Sequence, residues 1–409
     1  MLWQEMKKIW RPSMIAVLLI LGFVFYHTFL SFFVHYFPNG PYFDGLYRIA
    51  GQWVQTHGPV LSAEAEAQEK AGLAPLEAEA DKLVAANPLA QQYGLSTFAQ
   101  YQAFYDQYVR QVSGELTGQA LDAHSAAMRL SNYLQSEETG NIEGRLLAVA
   151  DYTQSYEDLQ HAASLGSPIR YPESYTQREY DHAMAAFFGP DQAWRNMLPE
   201  ELPRALSTYI AYVLIWCALS ICLLLSPFVV RDRSSRMRQL QYASRHGRRI
   251  LRTQCTAALL SALLLTTLNL LIFGGLFAAH GIAIFFSCRL YSFMLDAFAW
   301  FNWPFGLWCL ILCVMGYLIS LGVALLAFLI AQYSDSYVAM LLKLLPLFIL
   351  TALLLPGLFV NAFYYSNMLY RLTHLPGIEA LLALAIAAAG TLLCAWSLRQ
   401  QQSSELLGD

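Results

Sequence analysis

Six long apolar segments, separated by polar stretches, dominate the pattern of the chain. They run over about 14–36, 206–230, 253–279, 305–331, 338–360 and 377–398. The hydrocarbon core of a bilayer is about 30 Å thick, and a helix crosses it with about 20 mainly apolar residues. The pattern therefore predicts an all-α polytopic membrane protein with six transmembrane helices. A signal peptide is the alternative for the first segment, but that segment is long and no small-x-small cleavage site follows it.

The polar region 37–204 separates the first two spans and is predicted to form a mainly helical domain of its own. Helical runs are expected near 61–86, 115–135, 142–164 and 173–188. The chain then divides into three parts. These are an elbow helix with the first span (1–36), the helical domain (37–204) and the remaining five spans (205–409).

A further helix is expected to begin at Thr97, where Thr97 and Gln100 have the spacing of a capping box. Large side chains follow at helical spacing: Phe98, Tyr101, Tyr105, Tyr108 and Val112. Such a stripe fits either the core seam of a helical domain or a platform for a ligand.

The apolar segment 281–304 is harder to assign because it holds two opposite charges. In a helix, Arg289 and Asp296 would lie two turns apart on one face, and their burial in lipid is costly unless they pair or reach water. We predict a re-entrant or interfacial helix, with Trp300 and Trp303 as anchors. A complete span is the alternative. It would make seven spans and move the C-terminus to the other side.

Residues 1–11 predict an amphipathic elbow helix that lies along the membrane surface. Its apolar side chains share the helix with Glu5 and two lysines. Trp3 and Trp10 are candidate interfacial anchors, because tryptophan and basic residues both favour the headgroup region.

Charge is distributed unevenly along the chain. Residues 37–203 hold twenty-two acidic and nine basic side chains, whereas the remainder holds seven acidic and sixteen basic ones. The arginine segment, residues 231–252, carries eight arginines and one acid, Asp232. Cytoplasmic loops of membrane proteins are enriched in Lys and Arg. We therefore expect this segment and both termini to be cytoplasmic, and residues 37–204 to be extracytosolic.

The arginine segment is either a solvated loop or a short helix that docks on another protein. Met237, Leu240 and Ser244 fall on one helical face, and Gly247 offers a helix stop before Arg248. With Asp232 just after a span, this order resembles the first cytoplasmic loop of ABC exporter permeases, the type-2 family whose bacterial members carry large outer domains. The run from Glu5 to Ile9 is similar to the elbow helix of that family.

The resemblance implies a coupling helix that a separate ABC ATPase subunit grips. The residues that would carry the coupling are Asp232, Met237, Leu240, Ser244, Gly247 and Arg248. Asp232 stands where the family usually has Glu, and Arg-Thr-Gln at 252–254 replaces its usual Lys. The resemblance also implies a multi-pass protein of the bacterial cell membrane, paired with a second copy or a paralogue. ATP hydrolysis would occur on the ATPase, so this chain would be neither an enzyme nor the holder of a cofactor.

Motifs for chemistry on the chain itself are missing. The sequence contains no G-x-x-x-x-G-K-[ST], HExxH or GxSxG pattern. None of the seven cysteines lies in the acidic domain, which must therefore fold without disulfides. His27 with His35, and Cys309 with Cys313, fit packing better than metal ligation. The bilayer accounts for the arginines, so no nucleic-acid partner is expected.

Two other functions are alternatives. A receptor or sensor would bind a ligand with its helical outer domain, but it needs an output module and the chain has only short loops on the cytoplasmic side. An intramembrane enzyme needs paired ionisable residues at mid-span. Only Lys343 is a candidate, and it lies near one end of the fifth segment, where it can snorkel.

Overall fold

A computed structural model describes residues 2–111, 116–165, 175–234 and 247–406, and these residues are mainly helical. In chain order the α-helices are α1 (Leu2–Ile9), α2 (Pro12–His35), α3 (Pro41–His57), α4 (Ala63–Ala71), α5 (Leu73–Ala86), α6 (Pro88–Gln92), α7 (Phe98–Tyr105), α8 (Gln119–Leu134), α9 (Ile142–Leu165), α10 (Gln177–Phe187), α11 (Glu201–Ser234), α12 (Gly247–Ala278), α13 (Phe305–Gln332), α14 (Tyr337–Phe359), α15 (Met368–Thr373) and α16 (Ile378–Leu406). Within the described ranges no β-strand forms, and two isolated bridges are the only β pairing.

Six of these helices are long and apolar enough to cross a membrane: α2, α11, α12, α13, α14 and α16. The predicted all-α polytopic membrane fold is therefore confirmed. The apolar parts match the predicted segments, and polar extensions lengthen several helices at their ends. The clearest extensions run into the arginine segment: α11 continues to Ser234, and α12 begins at Gly247. Arginine favours helix almost as much as alanine does, so the helices continue beyond their apolar parts.

The chain divides into two compact units. The membrane unit comprises Met1–His35, Arg204–Gly281 and Gly306–Asp409, and the inserted unit comprises Tyr36–Pro203 and Ile282–Phe305. The inserted unit thus includes a second stretch of chain beyond the predicted boundaries 37–204. That stretch joins it only after the second and third spans.

Polar side chains and small residues join the helices of the membrane unit. Trp216 Nε1 of α11 donates to Asn269 Oδ1 of α12 at 3.1 Å. A Cβ on Gly322 of α13 would lie 2.7 Å from the carbonyl oxygen of Ile386 on α16, so the two backbones nearly touch. Lipid tails are as apolar as leucine, so membrane helices associate largely through such close packing and polar contacts.

The inserted unit is built on the close packing of α3 against α9. A Cβ on Gly45 would lie 2.2 Å from the carbonyl oxygen of Gly144, which shows that the two backbones are in direct contact. Around this crossing, the rings of Trp53 and Tyr152 pack with their centroids 5.8 Å apart. The helix α3 was not among the predicted ones, although its buried face repeats at helical spacing over Leu46, Ile49, Ala50, Trp53 and Val54.

A second cluster of buried apolar side chains holds together the five consecutive helices α5, α6, α7, α8 and α9. Its members are Ala80, Val84, Ala90, Leu95, Phe98, Tyr101, Leu130, Leu134, Ile142 and Leu146. Phe98 and Tyr101 of the predicted aromatic stripe are therefore core residues. Tyr105 packs against this core from its edge, and Val112 lies outside the described residues.

Local capping explains where several helices start. The Thr97 hydroxyl accepts from Gln100 N, as predicted, but Gln100 Oε1 accepts from Ser96 N, one residue before the cap. A complete capping box forms instead at the start of α10, between the N-cap Thr176 and Glu179. The predicted helix 61–86 is two helices, α4 and α5, which meet at Gly72.

The segment 281–304 is neither a span nor a re-entrant helix. Its only helical part is a short 3₁₀ turn over Ile282–Phe285, and Arg289 pairs with Pro304 in an antiparallel bridge. Phe293 lies edge-on to Tyr152 and Tyr156 at centroid distances of 6.0 and 5.5 Å. The segment is apolar because it completes the core of the inserted unit, not because it enters lipid. Arg289 and Asp296 therefore do not share a helical face, and that prediction was wrong.

Candidate functional site

The arginine segment includes the last residues of α11 and the first residues of α12. We call this end of the membrane unit the arginine end. Asp232 lies in the last turn of α11, while Gly247 and Arg248 are the first residues of α12. Three predicted coupling residues lie outside the described residues: Met237, Leu240 and Ser244. Their common helical face stays a prediction. Gly247 is the first residue of α12, and its predicted role as the stop of a preceding helix stays a prediction because residues 235–246 lie outside the described residues.

The elbow helix α1 docks on α12 directly after the arginine segment. Glu5 and Ile9 are buried, and Gln254 Nε2 donates to Glu5 Oε2 at 3.4 Å. Lys8 Nζ donates to Glu5 Oε1 at 2.7 Å, so both oxygens of the buried carboxylate are hydrogen-bonded. A buried charge is tolerated only when it is paired in this way. Glu5 therefore fixes α1 to the start of α12.

The two candidate anchor tryptophans have different environments. Trp3 is exposed and lies under Lys7, whose Nζ is 5.6 Å from the ring centroid. Trp10 is half-buried and donates from Nε1 to Ser261 Oγ of α12 at 3.0 Å. Trp3 is thus free to meet a membrane surface, whereas Trp10 also holds α1 and α2 against α12.

Further polar contacts join the other spans at the arginine end. Cys255 Sγ of α12 lies 3.6 Å from Cys394 Sγ of α16. The Tyr333 hydroxyl, just after α13, is 2.8 Å from Ser397 Oγ of α16. Lys343 Nζ donates to the Tyr333 carbonyl at 2.7 Å, so this lysine reaches the turn between α13 and α14. The arginine end is therefore a connected layer of helix ends that includes the start of α12.

Across the described ranges, no group of three or more His, Cys, Asp or Glu side chains is placed to hold a metal ion. The carboxylate of Glu5 is enclosed by its hydrogen bonds to Lys8 and Gln254. The described part of the site consists of two helix ends, Ser234 of α11 and Gly247 of α12, which bound the basic segment.

The inserted unit contains a separate buried carboxylate, Glu143 of α9. It accepts hydrogen bonds from the Tyr101 hydroxyl, 3.1 Å from each oxygen, and from Ser131 Oγ at 3.1 Å. Burial raises the pKa of Glu143 above its usual value, while these hydrogen bonds oppose the shift. The cluster joins α7, α8 and α9 and is closed to solvent, which favours a structural role.

Sequence reasoning missed the contacts of Glu5 and Trp10 with α12, because the partners are about 250 positions away in the chain. One signal was present. Glu5 lies on the same helical face as Leu2, Met6 and Ile9, where an acid is out of place unless a partner covers it. Comparison of the chain with protein-family models, with curated proteins and with solved structures gives no match.

Proposed function

We propose that the chain is the membrane-spanning permease subunit of an ATP-driven ABC exporter. A separate ATPase subunit docks on the arginine segment, and a second copy or a paralogue of the chain completes the transporter. The arginine segment is cytoplasmic, as are both termini, and the inserted unit faces the outside of a bacterial cell membrane.

One observation carries the proposal: the arginine segment joins two unbroken membrane helices, and the elbow helix is fixed to the second of them. α11 and α12 each extend from the segment into the membrane without interruption. Glu5 and Trp10 bond α1 and the start of α2 to α12. A force applied to the segment by a partner would therefore reach the first three spans together.

The mechanism needs no chemistry on this chain. ATP binding and hydrolysis on the partner displace the arginine segment, and the stiff ends of α11 and α12 pass that displacement into the bilayer. Rigid helices that move as units are a common means of alternating access in transporters. The arginines favour the cytoplasmic side and attract the partner, whereas apolar side chains on the segment give the docking its fixed geometry.

Leu240→Asp is expected to abolish ATPase association while the chain still inserts in the membrane. Apolar anchors in a docking groove contribute about 2 kcal/mol or more, and a buried Asp adds a desolvation cost. The full chain would carry an affinity tag in its native host. The measurements are the amount of co-purified ATPase and its ATP turnover after reconstitution in nanodiscs.

The matched control is Arg236→Gln, which removes one of eight arginines from the same segment. Exposed charges contribute about 0–1 kcal/mol each, so association and turnover should change little. Normal association and turnover in Leu240→Asp would leave the segment with no role beyond orienting the protein.

Single cysteines in a cysteine-free background test the sidedness. A membrane-impermeant maleimide added to intact cells is expected to label Glu77→Cys, on the exposed face of α5, and to leave Leu240→Cys unlabelled until the cells are opened. Labelling of position 240 from outside would invert the topology and remove any access of a cytoplasmic ATPase to the segment.

A further inference from the structure

A cavity of about 380 Å³ lies in the membrane unit between α2, α11 and α12. This volume is in the range of pockets that hold small molecules, about 300–1,000 Å³. Apolar side chains form most of its walls, among them Leu18, Leu19, Phe23, Leu265, Ile272 and Leu276.

The cavity is a groove that opens sideways, towards whatever surrounds the spans. Three side chains at its edge are strongly exposed: Leu19 at 68%, Phe23 at 65% and Ile272 at 57%. All three belong to membrane-spanning helices, α2 and α12. The medium at the mouth of the groove is therefore the hydrocarbon of the bilayer.

The groove has the length of one lipid chain. It follows α2 from Ile15 to Tyr26 and α12 from Leu265 to Leu276. At about 1.5 Å per residue, either stretch is about 16 Å long. The hydrocarbon core is about 30 Å thick, so the groove spans about half of it, which corresponds to one leaflet.

The floor of the groove carries polar side chains, and these side chains hydrogen-bond to one another or to the backbone of α11. Trp216 Nε1 donates to Asn269 Oδ1 at 3.1 Å, and Asn269 Nδ2 donates to Ser220 Oγ at 3.3 Å. Ser220 Oγ in turn donates to the Cys217 carbonyl at 3.0 Å. Because these groups bond one another, the floor favours an apolar occupant over a ligand that requires hydrogen bonds.

Basic side chains lie at the arginine end of the groove. Trp10 lines the groove there, Arg11 follows it directly in the turn between α1 and α2, and Lys7 lies in the last turn of α1. Both Arg11 and Lys7 are exposed. Cations at the level of the headgroups attract anionic lipids.

We propose that this groove is a binding site for an anionic phospholipid. One acyl chain lies between α2 and α12 over the Trp216–Asn269 pair, and the phosphate lies beside Arg11 and Lys7. The site does not depend on the proposed ATPase partner, because none of its residues belongs to the arginine segment. A bound lipid would fill the space between the first and third spans, which meet at Tyr26 and Phe273 and again over Ser31–His35.

The test uses the full chain in nanodiscs that contain phosphatidylglycerol with a photoreactive diazirine on one acyl chain. Phosphatidylcholine with the same chain is the neutral probe. After illumination, mass spectrometry is expected to find the label concentrated in residues 15–26 and 265–276, with more from phosphatidylglycerol than from phosphatidylcholine. Arg11→Gln combined with Lys7→Gln should remove that difference between the two lipids.

A matched pair of variants separates the groove from the general lipid surface. Ile272→Trp fills the groove, whereas Leu271→Trp places the same ring on a neighbouring residue that is 68% exposed and does not line it. Labelling of residues 15–26 should fall about tenfold in Ile272→Trp, the equivalent of ~1.4 kcal/mol, and should be unchanged in Leu271→Trp.

Four results would overturn the proposal, the last of them by removing its anionic headgroup. The first is label spread evenly over the exposed faces of all the spans in the wild-type chain, a measurement that needs no variant to fold. The second is equal labelling in Ile272→Trp and Leu271→Trp. The third is a disulfide that joins two copies of the chain when Leu19→Cys is oxidised in a cysteine-free background, which would show that a second copy fills the groove. Equal labelling by the two lipids would rule out recognition of an anionic headgroup.

Discussion

Gly45→Ala is expected to unfold the inserted unit, although it adds a single methyl group. The new Cβ would lie 2.2 Å from the carbonyl oxygen of Gly144 and 2.3 Å from its carbonyl carbon. These are backbone atoms in the first turn of α9, so no rotamer change can relieve the overlap and α3 must move away. Side chains on both helices, such as Trp53 and Tyr152, would then lose their packing. We expect a loss of about 4 kcal/mol or more, which is at the upper end for a single substitution.

Limited proteolysis of the full chain in detergent, followed over a temperature series, measures the stability of the inserted unit. The control is Gly51→Ala on the same helix. Its Cβ would meet Ile284 Cδ1 at 3.1 Å, where the end of the side chain can shift, and Phe285 Cζ at an ordinary contact distance of 3.8 Å. Alanine favours helix by about 1 kcal/mol over glycine, so Gly51→Ala should be near neutral. Equal resistance to protease in the two variants would show that α3 and α9 are not in backbone contact.

Gly322→Ala is expected to separate the fourth span from the sixth. Its Cβ would lie 2.7 Å from the carbonyl oxygen of Ile386, and a Cβ on Gly390 would lie 2.9 Å from the carbonyl oxygen of Gly322. The two glycines form one crossing of α13 and α16. Within a bilayer this close packing is a main source of helix association, and overpacking it should lower stability by about 1–3 kcal/mol.

The matched control for this crossing is Gly274→Ala in α12, where nothing lies within 4 Å of the added methyl group. Thermal unfolding in detergent, read from the monodisperse fraction after heating, compares the two variants. We expect a lower transition temperature for Gly322→Ala and an unchanged one for Gly274→Ala. The same transition temperature in both would mean that α13 and α16 are further apart than described.

The membrane helices were predictable because their signal is local. Each span is a continuous apolar segment, and hydropathy alone located all six. The same rule failed at 281–304, since an apolar segment buried in a folded unit has the same composition as one buried in lipid. Whether Phe293 faces Tyr156 or an acyl chain depends on contacts with residues about 140 positions earlier, and no local pattern records them.

The candidate site was predictable in part. The arginines and the amphipathic character of α1 marked the two elements that meet at the arginine end. Two hydrogen bonds connect these elements, Gln254 with Glu5 and Trp10 with Ser261. They could not be predicted, because each joins residues about 250 positions apart in the sequence. The predicted face of Leu240 lies outside the described residues, so the coupling role stays a prediction.

The discontinuous inserted unit has a consequence for biosynthesis. During synthesis, residues 36–203 of the unit are made before residues 282–305, and two spans are made in between. Until then Tyr152 and Tyr156 lack the ring of Phe293 that later covers them. The unit therefore finishes folding only when the translocon has passed α11 and α12. A chain whose synthesis stops before residue 282 carries an exposed apolar surface by which quality-control proteases can recognise it.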